Sequence, residues 1–275
     1  MGPISDSTAG SAVRKKYSEA RVKPFPRSLR LLYGRDLIGD EPAVGAARWA
    51  GRASGNTHSL RQVAGPAVSD TPVGGFIKRV FDVTIASTTL ILMAPTLILI
   101  ALLVKLTMGG PVFFVHQRVG FNRRPFGCFK FRTMVGDAGD RLTAYLAGHP
   151  EAAQAWRETQ KLKNDPRVTW IGHVLRKSSL DELPQLFNVL RGDMSCIGPR
   201  PVLLDELKRY GNHDTDYAKA KPGLTGMWQV NGRSNTSYAH RVKCDRYYVR
   251  RWSVALDFNI LFKTIPAVMK FDETA

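Results

Sequence analysis

Residues 83–104 form a run of 22 residues without a charge, bracketed by Lys78, Arg79 and Asp82 before it and Lys105 after it. As a straight helix the run would be ~33 Å long, enough to cross a hydrocarbon core of ~30 Å with little to spare. It is apolar all round, which suits a membrane better than one face of a soluble core. Pro95 sits in the middle and lacks the amide donor that a helix needs, while Ser87, Thr88 and Thr89 upstream supply hydroxyls for freed carbonyls. A bend is therefore expected. Both flanks are basic, with Arg61, Lys78 and Arg79 before the run and Lys105, Arg118, Arg123 and Arg124 after it. The positive-inside rule then favours neither orientation of a spanning helix. A helix that enters from the cytosol, breaks at Pro95 and returns to the same face satisfies both flanks. A re-entrant membrane hairpin over residues 74–110 is the expectation.

The chain carries 40 Lys and Arg against 23 Asp and Glu, a net charge of +17. Such an excess points to a phosphate-rich partner: nucleic acid, anionic lipid headgroups or phosphorylated substrates. Charge alone does not choose among them. Residues 1–73 are rich in Gly, Ala, Ser, Pro and Arg without a sustained period, and read as a disordered basic tail drawn electrostatically to an anionic inner leaflet. The three cysteines, Cys128, Cys196 and Cys244, form no CxxC pair and have no His at zinc-finger spacing, which argues against a disulfide framework or a structural zinc site. No apolar h-region of a secretory signal precedes the tail, so the remaining domain, residues 111–275, is expected in the cytosol.

That domain reads as α+β and mostly helical. Residues 112–119 and 126–132 flank a turn through Asn122–Pro125 and predict a short β-hairpin. Helical spacing predicts helices near residues 135–148, 151–163, 171–176, 184–190, 202–210, 237–252 and 256–270, the last interrupted at Pro266. Their apolar positions are mixed with Lys, Arg and Trp, a pattern that serves an amphipathic helix in a membrane interface and one packed on a core equally well.

The densest chemical signal is Lys177-Ser178-Ser179-Leu180-Asp181-Glu182-Leu183-Pro184-Gln185-Leu186. Adjacent carboxylates at a helix start meet the positive end of the dipole, and Ser179 to Glu182 fits a capping box, a complete structural explanation. Pro184 fits poorly as a fifth helical residue and moves the helix start beyond the pair, which frees the carboxylates for chemistry. Gly198-Pro199-Arg200-Pro201 follows, and its two prolines hold Arg200 in extended backbone, a posture suited to bidentate phosphate binding. Two carboxylates and a held guanidinium within twenty positions suit metal-assisted phosphoryl transfer.

These segments resemble the monotopic phosphoglycosyl transferases, or bacterial sugar transferases, of the type that initiates exopolysaccharide synthesis. The likeness covers most of residues 75–265. It runs in family order through Lys78-Arg79-Val80-Phe81-Asp82, Gly110-Pro111-Val112-Phe113-Phe114, Gln117-Arg118-Val119-Gly120, Phe129-Lys130-Phe131-Arg132-Thr133-Met134 and Asp165-Pro166-Arg167-Val168-Thr169. It continues through the Asp181-Glu182 decapeptide, Gly198-Pro199-Arg200-Pro201, Lys221-Pro222-Gly223-Leu224-Thr225-Gly226 and Trp228-Gln229-Val230-Asn231-Gly232-Arg233. Ala94 stands before Pro95 where the family often has Ser.

The resemblance implies that Asp181 is a nucleophile attacking the β-phosphate of a UDP-sugar, with galactose or glucose the favoured hexose. A covalent sugar-phosphoryl enzyme then passes its group to polyprenyl (undecaprenyl) phosphate. Asp181 and Glu182 would form the Mg2+ site, with Glu182 holding the metal or handling the acceptor's proton, and Arg200 would grip phosphate. Lys130, Arg132, Arg167, Thr225, Gln229 and Arg233 carry over as donor contacts. The implied setting is the cytoplasmic face of a bacterial inner membrane, with anionic lipids and downstream glycosyltransferases as partners and no nucleic acid. A reading from another class is a non-catalytic, membrane-attached basic protein that binds nucleic acid or acidic polysaccharide. It accounts for the charge and the apolar run but not for the Asp181-Glu182 pair beside Pro199-Arg200-Pro201, since a binding surface would interleave basic and aromatic residues.

Overall fold

A computed structural model describes residues 67–159, 162, 164–232 and 237–269. The tail read over residues 1–73 lies outside the described residues up to residue 66, and so does Arg233. The described residues are mostly helical, with two small two-stranded sheets, an α+β arrangement.

The apolar run is the middle of helix α1 (Gly75–Met108), the one described helix long and apolar enough to cross a membrane. Only 11% of its most apolar stretch is buried, so it is not the core helix of a soluble protein. The helical path continues through Pro95 without interruption. A proline forfeits one rung of the hydrogen-bond ladder, here the one to the Ile91 carbonyl, and the remaining rungs hold the path together.

The two ends of α1 dock on one folded unit. At the N-terminal end Lys78 Nζ reaches Asp257 Oδ2 at 2.7 Å, and Arg79 caps two carbonyls, Val189 at 2.5 Å and Leu190 at 2.7 Å. Asp82 Oδ1 accepts from Ser195 Oγ (2.8 Å) and from the Cys196 amide (2.9 Å). At the C-terminal end Ile100 and Val104 pack with Phe131, Ile171 and Leu175, and Leu180 lies against the same cluster. Between the docked ends Ile91, Leu92, Ile98 and Leu99 are exposed.

The expected hairpin forms from β1 (Phe113–Val119) and β2 (Pro125–Phe131), antiparallel with Phe114 opposite Lys130, His116 opposite Cys128 and Arg118 opposite Phe126. Helices α2 (Ala138–Gly148), α3 (Pro150–Thr159), α4 (Trp170–Lys177) and α5 (Gln185–Arg191) follow. Strand β3 (Ser195–Ile197) then pairs in parallel with β4 (Gly223–Thr225), across short helices α6 (Leu204–Lys208) and α7 (Asp214–Ala218). This parallel pair was not expected, because three-residue strands joined across more than twenty residues leave no local period to read. Helices α8 (Met227–Val230), α9 (Tyr238–Arg250) and α10 (Val254–Met269) complete the described order, and α10 runs through Pro266 without the expected interruption.

Two buried side chains tie the unit together. Asn188 of α5 accepts from the Phe129 amide (2.9 Å) and donates to the Gly127 carbonyl (2.7 Å), fixing α5 on β2. The Tyr248 hydroxyl of α9 lies between two acceptors, Asp257 Oδ1 (2.8 Å) and the Ile197 carbonyl (2.9 Å), joining α9 and α10 to the end of β3. Helix α10 buries Leu256 and Ile260 and exposes Phe258, Phe262 and Ile265; α4 buries Ile171 and Leu175 and exposes Trp170 and Val174. Each helix therefore has one packed and one uncovered apolar side.

Candidate active site

The Asp181-Glu182 pair lies in a single 3-10 turn (Leu180–Glu182) between α4 and α5. Thr169 caps α4 by accepting from the Gly172 amide (3.0 Å), and Gly172 is required because a Cβ there would strike the Thr133 carbonyl. The capping box read from Ser179 to Glu182 does not form. Ser179 adopts φ 58° with no side-chain capping bond, and Pro184 precedes a helix that starts only at Gln185. The left-handed serine is a strained conformation of the kind found at functional sites, and it aims the turn rather than a helix start.

Glu182 is the electrostatic hub. Lys130 Nζ donates to its Oε1 at 2.6 Å and Arg200 Nη2 stands 3.7 Å from the same oxygen. Burial would raise its carboxyl, but Lys130, Arg200 and Arg118 outweigh burial and hold it at about 2. Asp181 is treated oppositely. Burial pushes it up to about 6, with Lys130 pulling down, Glu182 pushing up and Arg176 pulling down. At neutral pH both are ionised, one strongly stabilised and the other held against its environment.

An open cleft lies over this hub, lined by Arg118, Cys128, Lys130, Glu182, Gln185, Arg200, Pro201, Leu224 and Gln229. Three cations thus face one carboxylate, a surplus that suits a phosphorylated ligand. Asp181 is not among the lining residues and is 8% exposed, at the edge of the hub beside Leu180, which packs against α1. Cys128 is a buried neutral thiol in the cleft wall, pushed up to about 11 by burial.

Glycines bring the walls together. A Cβ on Gly226 would strike the Gly198 carbonyl, and one on Gly223 would strike the Gly198 amide, so the segment leading to Arg200 touches the β4 segment backbone to backbone. Asp82 holds β3 from the membrane helix, and Arg241 Nη2 donates to the Arg200 carbonyl at 3.4 Å.

Of the residues expected as donor contacts, the structure brings Lys130, Arg200 and Gln229 to the cleft with Glu182. It places Arg132 elsewhere, donating to the Met108 and Gly109 carbonyls at the end of α1. Arg167 forms a two-pronged pair with Asp165 (2.8 and 2.6 Å) and stacks over Trp156 at 4.8 Å. Thr225 shares a 2.8 Å hydrogen bond with Thr264 beside the cleft wall. Two further arginines were missed. Arg118 lines the cleft, and Arg176 attracts Asp181 while donating to Thr133 Oγ1 at 2.9 Å. Only their places in the Gln117-Arg118-Val119-Gly120 segment and five residues before Asp181 could have signalled them.

Among the described residues no cluster of three or more His, Cys, Asp or Glu could cage a metal by itself. Mg2+ commonly binds through one or two carboxylates plus substrate phosphates, and the Asp181-Glu182 pair fits that incomplete donor set.

Residues 73–271 match the family model of the bacterial sugar transferases. The chain is similar to the exopolysaccharide production protein ExoY of Rhizobium meliloti, 52% identical over 197 residues that cover 72% of this chain and 87% of that protein. It is similar also to the undecaprenyl-phosphate galactose phosphotransferase of Salmonella typhimurium, 48% identical over 72% of this chain and 41% of that one. The UDP-glucose:undecaprenyl-phosphate glucose-1-phosphate transferase of Escherichia coli is 40% identical over 71% of this chain and 41% of its own. With Glu182 set in a cationic cleft, Asp181 buried at its edge, and a family model matched from the apolar helix to α10, the chain belongs to the bacterial sugar transferase family and is a phosphoglycosyl transferase.

Proposed function

We propose that the chain transfers a sugar 1-phosphate from a UDP-sugar to undecaprenyl phosphate through a covalent adduct on Asp181, starting an exopolysaccharide. The observation that carries this is the polarised pair: Asp181 ionised against its burial, beside Glu182 pinned by Lys130 and Arg200. A destabilised carboxylate next to fixed cations is what nucleophilic attack on a phosphoanhydride needs, because its charge is dispersed in the transition state while the cations remain in place.

In the first half-reaction an Asp181 oxygen bonds to the β-phosphorus and the bond to the oxygen bridging to the α-phosphate breaks. That oxygen leaves with the electron pair, and UMP departs as a phosphate anion without needing a proton. In the second half-reaction a phosphate oxygen of the polyprenyl carrier bonds to the same phosphorus, the bond to Asp181 breaks, and the carboxylate is restored. Lys130 and Arg200 hold transferring charge throughout. Asp181 and Glu182 would hold Mg2+ together with pyrophosphate oxygens, and the cation would screen the donor's charge when bound. One site used twice suits one soluble and one lipid-borne substrate.

Membrane placement follows from α1. A spanning helix puts its ends ~30 Å apart on opposite sides, yet both ends of α1 dock on the same unit, with exposed apolar residues between. This supports a re-entrant dip from the cytoplasmic face of a bacterial inner membrane, with the uncovered sides of α4 and α10 resting in the interface among anionic lipids. Leu180, next to the nucleophile, packs on α1, so an acceptor phosphate at the headgroup level lies close to the reacting carboxylate. The product would feed downstream glycosyltransferases, and the relatives' galactose and glucose transfer favours a hexose donor.

The test uses purified protein in lipid nanodiscs with Mg2+ and a panel of UDP-sugars. Without acceptor, one UMP per active protein and a phosphosugar adduct are expected; with undecaprenyl phosphate, multiple turnovers. Asp181→Asn is expected to give neither. UMP release by that variant at the wild-type rate, or none from any donor with the wild type, sinks the reading.

A further inference from the structure

We propose that Arg118 binds the leaving nucleoside monophosphate, so that it serves the first half-reaction and not the second; this rests on the reading above. The residue stands on one face of the hairpin. Phe114, His116 and Arg118 alternate onto one face of β1, and their partners Lys130, Cys128 and Phe126 share that face. Lys130, opposite Phe114, grips Glu182, whereas Arg118 lies four residues further along β1, about 13 Å at the backbone. The cleft therefore has an order along the hairpin: Glu182 at the Lys130 end, with Asp181 beside it at the edge, then Cys128, and Arg118 at the far end.

The charge pattern agrees with that order. Lys130 and Arg176 act on Asp181, while Arg200 and Arg118 join Lys130 in acting on Glu182. With the β-phosphorus held at the acidic pair, an α-phosphate that lies further along the cleft would meet the arginine end. There the broken bond leaves its electron pair, and a guanidinium fork matches a phosphate's oxygens.

Arg118 is aimed and left with charge to spare. Its Nη2 donates to His116 Nδ1 at 3.2 Å and its Nη1 to Glu206 Oε2 at 3.4 Å. His116 is neutral, lowered to about 4 by burial and by Arg118 and Lys130, so it orients the fork without cancelling its charge. Glu206 is divided, since Arg241 Nη1 stands 3.7 Å from its Oε1 and the Leu203 amide donates at 2.8 Å to the same Oε2 that Arg118 reaches.

The experiment separates the half-reactions in nanodisc-held full chain. UMP binding is measured by calorimetry, single-turnover UMP release is followed without acceptor, and preformed adduct is chased with undecaprenyl phosphate. Arg118→Met is expected to weaken UMP and slow UMP release by about ten- to hundredfold, the worth of a charge-assisted hydrogen bond, with the chase rate unchanged. Arg118→Lys, which keeps a cation beside Glu206 and so guards against misfolding of the Met variant, is expected to show a smaller loss in the same two readouts. Unchanged UMP affinity in both variants, or a chase slowed as much as adduct formation, overturns the assignment. Absence of any adduct in the wild type overturns instead the covalent route on which the assignment rests.

Discussion

Asp181 and Glu182 are neighbours in one turn, yet neutralising them should move stability in opposite directions. The Asp181 carboxyl rises from 3.8 to about 6, with burial the leading cause. The folded chain then holds this proton more tightly than the unfolded one, so the charged form costs stability as pH climbs from 3.8 to about 6, about 3 kcal/mol at neutral pH. Glu182 falls from 4.5 to about 2, where Lys130, Arg200 and Arg118 overcome burial. Its contribution has the other sign: about 3 kcal/mol present above pH 4.5 and lost as pH drops toward 2. Asp181→Asn is therefore expected to raise Tm at pH 7, on the order of 5 °C, and Glu182→Gln to lower it by a similar amount. At pH 5 Asp181 is mostly protonated and its gain should shrink to roughly half, while the Glu182 loss stays nearly constant. Thermal unfolding of both variants and wild type at the two pH values, followed by tryptophan fluorescence in one nanodisc composition, checks this. A shift of the same sign for both variants at pH 7, or a destabilised Asp181→Asn, refutes the electrostatic account of the site.

The rate of adduct formation should depend on the Asp181 carboxylate, falling about tenfold between pH 7 and pH 5 with its midpoint near 6. Lys130→Met removes a cation that pulls Asp181 down and should move that midpoint upward; a midpoint left in place in single-turnover assays contradicts the role of Lys130. Asn188→Ala strands the Gly127 carbonyl and the Phe129 amide in the interior and should destabilise the unit by about 2–5 kcal/mol, read from urea unfolding, while a loss under 1 kcal/mol counts against it.

That Glu182 and Arg200 share a cleft was legible, because their neighbours in sequence are their neighbours in space: Pro184 delays the helix and two prolines hold the arginine. Arg118 and Arg176 were not. A single arginine in a strand or at a helix end looks like any solvated charge until Glu206, His116 or Thr133 is seen to hold it. Arg132 and Arg167 show the converse, since their motifs matched but their guanidiniums bind the α1 terminus and Asp165. The apolar run and the hairpin were plain from period and charge. Helical hydrogen bonding runs through Pro95 and Pro266 alike, because the rest of a long helix tolerates one missing donor that local propensity weighs heavily. The β3–β4 pair depends on glycine contacts between distant segments, and no local pattern encodes those.

A helix fastened at both ends to the same rigid body behaves as a plug of set depth. Lys78 and Asp82 fix one end and Ile100 and Val104 the other, so on the proposed re-entrant placement the protein, not the lipid, sets how deep the helix sits. Single-pass proteins tilt or redistribute when hydrocarbon thickness changes. The proposed re-entrant dip leaves no far side to match, and turnover should then be nearly indifferent to acyl-chain length, leaving headgroup charge as the lipid property to which the protein responds.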